Sequence, residues 1–105
     1  MILQFIKGHY CTSTKVAPRD VKSGEVVIFG KHPCVFTHDT ASGEQGTVAT
    51  HGGEWEGDRG SVAVTDGNPV SVDANGDIAS SGEKLGIATS VVGTTVRVLL
   101  APTAE

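Results

Sequence analysis

A chain of 105 residues has the length of one ordinary domain and no surplus for a second core. Its net charge of -4 and pI near 5.5 leave no basic stripe for a phosphate backbone, which argues against nucleic acid as a partner. No stretch approaches the roughly 18 consecutive apolar residues of a membrane helix, so no membrane partner is expected either.

The start, Met1 to Lys7, lacks a basic leader and a long apolar run, as expected of a mature cytosolic product. Cys11 and Cys34 are too few for a disulfide framework and too far apart for a redox pair or zinc knuckle, so both are read as free thiols. The 14 glycines, the dominance of Val and small residues, and the 5% aromatic content predict short strands and many turns. The expected fold is all-β: a small antiparallel β-barrel or β-sandwich with an extended N-terminal arm.

In chain order, residues 1–20 stand apart. Ile2, Leu3, Phe5 and Ile6 form an apolar patch, and the polar run from Cys11 to Lys15 has no clear period. This segment is read as an arm, with an edge strand followed by a loop as the alternative. Residues 21–105 read as the barrel or sandwich domain. After a turn at Lys22 to Glu25, Val26 to Phe29 is a continuous apolar strand. Gly30 to Pro33 turns the chain and Cys34 to Thr37 returns, giving a hairpin.

A turn at Ser42 to Glu44 precedes a strand over Gly46 to His51, and Gly52-Gly53 leads to Glu54-Trp55-Glu56. Ser61 to Val64 is the next expected strand, followed by the Asp66-Gly67 turn and a strand over Pro69 to Asp73. Asn75-Gly76 is a strong hairpin signal, because both residues tolerate the positive φ such turns demand. Leu85 to Val91 and Thr95 to Leu100 are expected to pair across Gly93-Thr94, and Ala101 to Glu105 to fray.

The chemistry-bearing residues offer little to a catalyst. His9, His32, His38 and His51 lack the spacing of a metal site, so no metal or other cofactor is expected. No strained elbow or oxyanion loop accompanies a nucleophile, and no catalytic residue is assigned. The glycines lie between strands with no helix after them, which removes the dipole a phosphate cradle uses. Trp55, the single Trp, is either a core or edge-strand aromatic or an interface anchor. Arg59, in the loop Gly57 to Gly60, is a candidate for a contact across subunits. Arg97, between Val96 and Val98, is expected to point away from the core.

The order of turns and strands after about Val21 resembles the small capsid cement, or head decoration, proteins of tailed bacteriophages. The segments that carry the resemblance are Val21 to Val27, Gly46 to Glu56, Asp66 to Asp73 with Gly76-Asp77-Ile78, Leu85-Gly86-Ile87-Ala88 and Val96-Arg97-Val98. The longer first 20 residues depart from it. The resemblance implies a non-enzymatic virion protein on the outer capsid surface, bound to the major capsid protein. It further implies a homotrimer at local threefold sites that stabilises the expanded head, where multivalent attachment raises avidity. The residues expected at capsid or inter-subunit contacts are Ile2, Leu3, Phe5, Ile6, Tyr10, Trp55 and Arg59. The alternative is a β-barrel module that recognises a glycan or small ligand, which needs several exposed aromatics on one face. A small hydrolase or metal-dependent enzyme is a third reading, and it requires His32, His38 and His51 to converge.

Overall fold

The computed structural model describes residues 1–101 of the chain. The eight strands are β1 (Gln4–Val16), β2 (Val26–Phe29), β3 (His32–Phe36), β4 (Gln45–Asp58), β5 (Pro69–Val72), β6 (Ile78–Ala79), β7 (Glu83–Val92) and β8 (Thr95–Leu100). No helix occurs among the described residues, and the fold is all-β. One antiparallel sheet runs in the order β2-β3-β4-β8-β7-β5-β6, with β1 paired to β4 outside that path. The sheet curls into a half-barrel, and its twist follows from the ordinary handedness of strands.

β4 is the spine. Along one edge it pairs with β1 from Gln4↔Glu56 to Val16↔Gln45. Along the other it pairs first with β3, through Phe36↔Val48 and Val35↔Ala49, and then with β8, from Glu54↔Leu99 to Asp58↔Thr95. The change of partner falls at Gly52 and Gly53, whose φ values of 94° and 76° are open to glycine and strained for other residues. The sequence therefore reads as two strands separated by a Gly-Gly break, whereas the structure joins them into one bent strand.

The core has two parts because β2, β3 and the first half of β4 are buried on both faces. Val26, Val35 and Ala49 point into the barrel with Leu3, Trp55, Val70, Val72, Leu85, Val96, Val98 and Leu100. Val27, Cys34, Phe36 and Val48 point the other way and are covered by Ala17 and Val21. Burial on both faces explains the unbroken apolar run of β2, where alternation would mark a strand with one wet face. The chain start and the turn at Gly76 brace the half-barrel. Leu3 N–H donates to the Gly24 carbonyl at 2.7 Å, Met1 N donates to Asp77 Oδ1 at 2.6 Å, and Gly76 lies against the Val26 carbonyl.

Three expectations change. The separate N-terminal arm is not confirmed: Gln4–Val16 is a strand paired along its length with β4, and Leu3 is a core residue. Ser61 to Val64 forms no strand; Val62 and Val64 pack on the core, but the segment is held by a turn in which Val62 N–H donates to the Arg59 carbonyl. The β2–β3 connection is tighter than expected, with His32 and Pro33 inside β3. The hairpins β5–β6 and β7–β8 form where the Asn75-Gly76 and Gly93-Thr94 signals place them. The expected fraying of the terminus lies, past Ala101, outside the described residues.

Candidate surface for assembly

The expected contact residues fall into three groups. Phe5, Tyr10 and Trp55 converge, with ring centroids 5.0 Å apart for Phe5–Tyr10 and 5.2 Å for the other two pairs. In a regular strand Phe5 and Tyr10, an odd number of residues apart, would face opposite ways. Register shifts between Phe5 and Lys7 and between Lys7 and Tyr10, opposite the bend at Gly52-Gly53, break that alternation. Gly53 leaves the room: a Cβ there would lie 2.9 Å from Phe5 Cε1 and 3.2 Å from Trp55 Nε1. Trp55 is 3% exposed and its indole N–H donates to the Gly52 carbonyl at 3.0 Å, so its polar handle is satisfied within the chain.

Ile2, Leu3, Phe5, Tyr10, Trp55 and Phe36 line a groove of about 360 Å³ at this end of the molecule. Ile2 is 53% exposed and Phe5 39%, Ile6 and Tyr10 are half-buried, and Leu3 is buried beneath them. Polar groups on the rim are already engaged: Ser23 Oγ donates to the Thr37 carbonyl and Ser23 N–H to Asp39 Oδ1. The exposed Gln4 side chain also lines the groove, so it offers an apolar wall with a polar rim.

Arg59 stands apart from the aromatic group. Its Nε donates to the Gly93 carbonyl at 2.8 Å and its Nη1 to the Val62 carbonyl at 2.9 Å. These bonds fasten the loop after β4 to the β7–β8 turn. Arg97 points outward, as expected, and its Nε lies 3.3 Å from Glu56 Oε2.

Sequence reasoning missed Glu54. Its Oε1 accepts from Thr89 Oγ1 at 2.5 Å across β8, and Lys7 Nζ of β1 lies 3.5 Å from its Oε2. The Thr89 hydroxyl, with Lys7 and Arg97 adding attraction, holds this carboxyl below its ordinary pKa. The cross-strand register that brings Lys7 opposite Glu54 was the only usable signal, and it depends on bulges the sequence does not announce.

The long edge of β1 turned away from β4 has no strand partner among the described residues. Natural sheets rarely leave such an edge open without a purpose or a protective device. Thr12 to Val16 continue without a register shift, so this half presents a regular ladder of unpaired backbone groups.

A model of the family described as phage cement protein matches residues 6–101. The chain belongs to the phage cement protein family. It is therefore a structural, capsid-associated component of a phage virion. No curated protein and no solved structure matches it. The family match covers β1 almost entirely, and so treats the edge strand as part of the cement domain.

The two thiols lie apart in the fold. Cys11 is exposed on β1 and Cys34 is buried in the second core cluster, where burial pushes its thiol pKa up. Among the described residues no group of three His, Cys, Asp or Glu stands close enough to hold a metal ion. Under native conditions a thiol reagent is expected to modify Cys11 quickly and Cys34 only on unfolding. Equal, fast modification of both would contradict the burial of β3.

Proposed function

We propose that the chain binds the outside of the phage head, on the major capsid protein, as a homotrimer at local threefold sites, and that it stabilises the expanded shell. The observation that carries the reading is the free β1 edge in a chain of the cement family, beside a groove with an aromatic wall of Phe5, Tyr10 and Trp55. An extended segment of a neighbour gains backbone hydrogen bonds from such an edge and specificity from the adjoining groove. In this reading Ile2, Phe5, Ile6 and Tyr10 touch the neighbour. Leu3 and Trp55 hold β1 in place from below, and Arg59 shapes the loop beside it.

The protein acts by adhesion. Several weak contacts made at once give a long residence time, because each bound site holds the others at high effective concentration. A clamp of this kind slows disruption of the shell rather than changing its equilibrium structure. A glycan-binding role is less well served by this surface. Sugar rings stack on flat, exposed aromatic faces, whereas the Phe5 ring meets Trp55 at 66° and Trp55 is almost fully covered. Binding to purified heads, expanded against unexpanded, is the test; saturable attachment to the expanded form is expected.

A further inference from the structure

A second concavity, of about 180 Å³, lies where β1, β2, β3 and β4 meet, and it is lined by Ser13, Lys15, Phe29, His32, Cys34 and Thr50. Its charge is one-sided. The ionisable groups in its wall are Lys15, His32 and the thiol of Cys34, with no carboxylate among them. Lys15 Nζ lies 5.5 Å from the centroid of the Phe29 ring. Among the described residues Lys15 has no carboxylate partner, whereas Lys7 and Arg19 are paired with Glu54 and Glu25. His32 Nε2 lies 2.9 Å from the Thr50 carbonyl, which can only accept, so this nitrogen carries a proton and the ring is held in place.

Lys15 is the one cation of β1 without a carboxylate partner among the described residues, since Lys7 is paired with Glu54. Three of the eight Lys and Arg residues, Lys7, Lys15 and Arg19, lie in the first 19 residues, and none of the twelve Asp and Glu does. Within β1 itself, Gln4–Val16, the charged side chains are Lys7 and Lys15, with no carboxylate. Ser13 and Lys15 also belong to the regular half of β1, Thr12 to Val16, whose outer edge is unpaired. A strand added there places every second side chain on the face that Ser13 and Lys15 share.

We propose that this concavity seats the carboxylate of an Asp or Glu borne by an extended segment of the capsid partner, which lies along β1 between Thr12 and Val16. The inference rests on the capsid-binding reading and deepens it. The backbone edge supplies affinity, and Lys15, with Ser13 and His32 beside it, selects the segment and fixes its register. Opposite charges arranged in this way raise the rate and specificity of docking and make both sensitive to salt.

The test compares wild-type protein with Lys15→Glu and Lys15→Gln for binding to expanded heads at low and high ionic strength. Circular dichroism and thermal melts verify that each variant is folded. Lys15→Glu is expected to weaken binding by about tenfold at low salt, Lys15→Gln by less, and the differences are expected to shrink as salt rises. Wild-type binding with Lys15→Glu equally tight and equally insensitive to salt overturns the inference and leaves the capsid-binding reading standing. A Lys15→Glu variant that binds heads normally but changes its own oligomeric state also overturns it, because the carboxylate then comes from a second copy. Folded wild-type protein that binds no heads overturns the reading and this inference with it.

Discussion

Trp55→Ala is expected to lower folding stability by about 3–5 kcal/mol, the range for deleting a large buried aromatic. That is a large share of the about 5–15 kcal/mol by which native domains are stable. The cost has two sources here. The indole fills the barrel beside Leu3 and Val98, and it is the buried ring on which Phe5 and Tyr10 of β1 lean. Losing it therefore loosens the strand as well as the core. Chemical denaturation checks the first effect. Hydrogen exchange checks the second, with the amides between Phe5 and Tyr10 expected to lose protection ahead of those in β8. Phe5→Ala should cost less, because that ring is 39% exposed. A Trp55→Ala variant within about 1 kcal/mol of wild type would mean that the cavity collapses and that the aromatic group does not fasten β1.

Gly86→Ala is expected to be at least as damaging, for a reason unrelated to burial. A Cβ built on Gly86 would lie 1.9 Å from the Leu99 carbonyl oxygen and 2.9 Å from the Ala101 nitrogen. Both are backbone atoms of the last strand region, so no side-chain rotation relieves the clash. The β7–β8 ladder must part around Gly86↔Leu100, which exposes Leu85 and Leu100, two of the best-buried residues. The loss should exceed the roughly 1–3 kcal/mol of ordinary overpacking. Ser90→Ala on the same strand is the control and is expected to stay within about 0.5 kcal/mol. Equal melting temperatures for Gly86→Ala and Ser90→Ala would show that β7 and β8 are not packed at this distance.

The same two residues show what the sequence made legible. Gly86 was visible only as part of the Leu-Gly-Ile-Ala segment that resembles the family; its physical reason, a backbone approach between strands, needs coordinates. Trp55 was readable as a core or edge aromatic, but its partners Phe5 and Tyr10 were not, because they reach it through bulges in β1. Turn chemistry was the most readable layer. Asn75-Gly76 and Gly93-Thr94 close hairpins between neighbouring strands, and local signals suffice when the partners are adjacent in sequence.

β1 shows where local signals end. Most of its side chains from Gln4 to Val16 are exposed, so no alternation between wet and dry faces marks it as a strand, and its partner β4 lies some forty residues away. Polar Thr12 to Lys15 thus reads as arm or loop until the pairing is seen. Ser61 to Val64 is the converse case. Val62 and Val64 alternate because both touch the core, yet the backbone between them joins no ladder. Alternation reports which side chains are buried; pairing depends on whether another strand lies alongside. Ile2 and Phe5 are exposed, and the Arg59 guanidinium, a candidate for a contact across subunits, donates through Nε and Nη1 to the carbonyls of Gly93 and Val62.

Attachment to the expanded head is read out by co-sedimentation. Purified protein is mixed with expanded heads built from the major capsid protein of the same genome, with unexpanded proheads as the control. Saturable binding to expanded heads is expected at a fixed ratio per capsid subunit, the ratio of trimers at local threefold sites, with little on proheads. Folded protein that stays in the supernatant with both forms would contradict it.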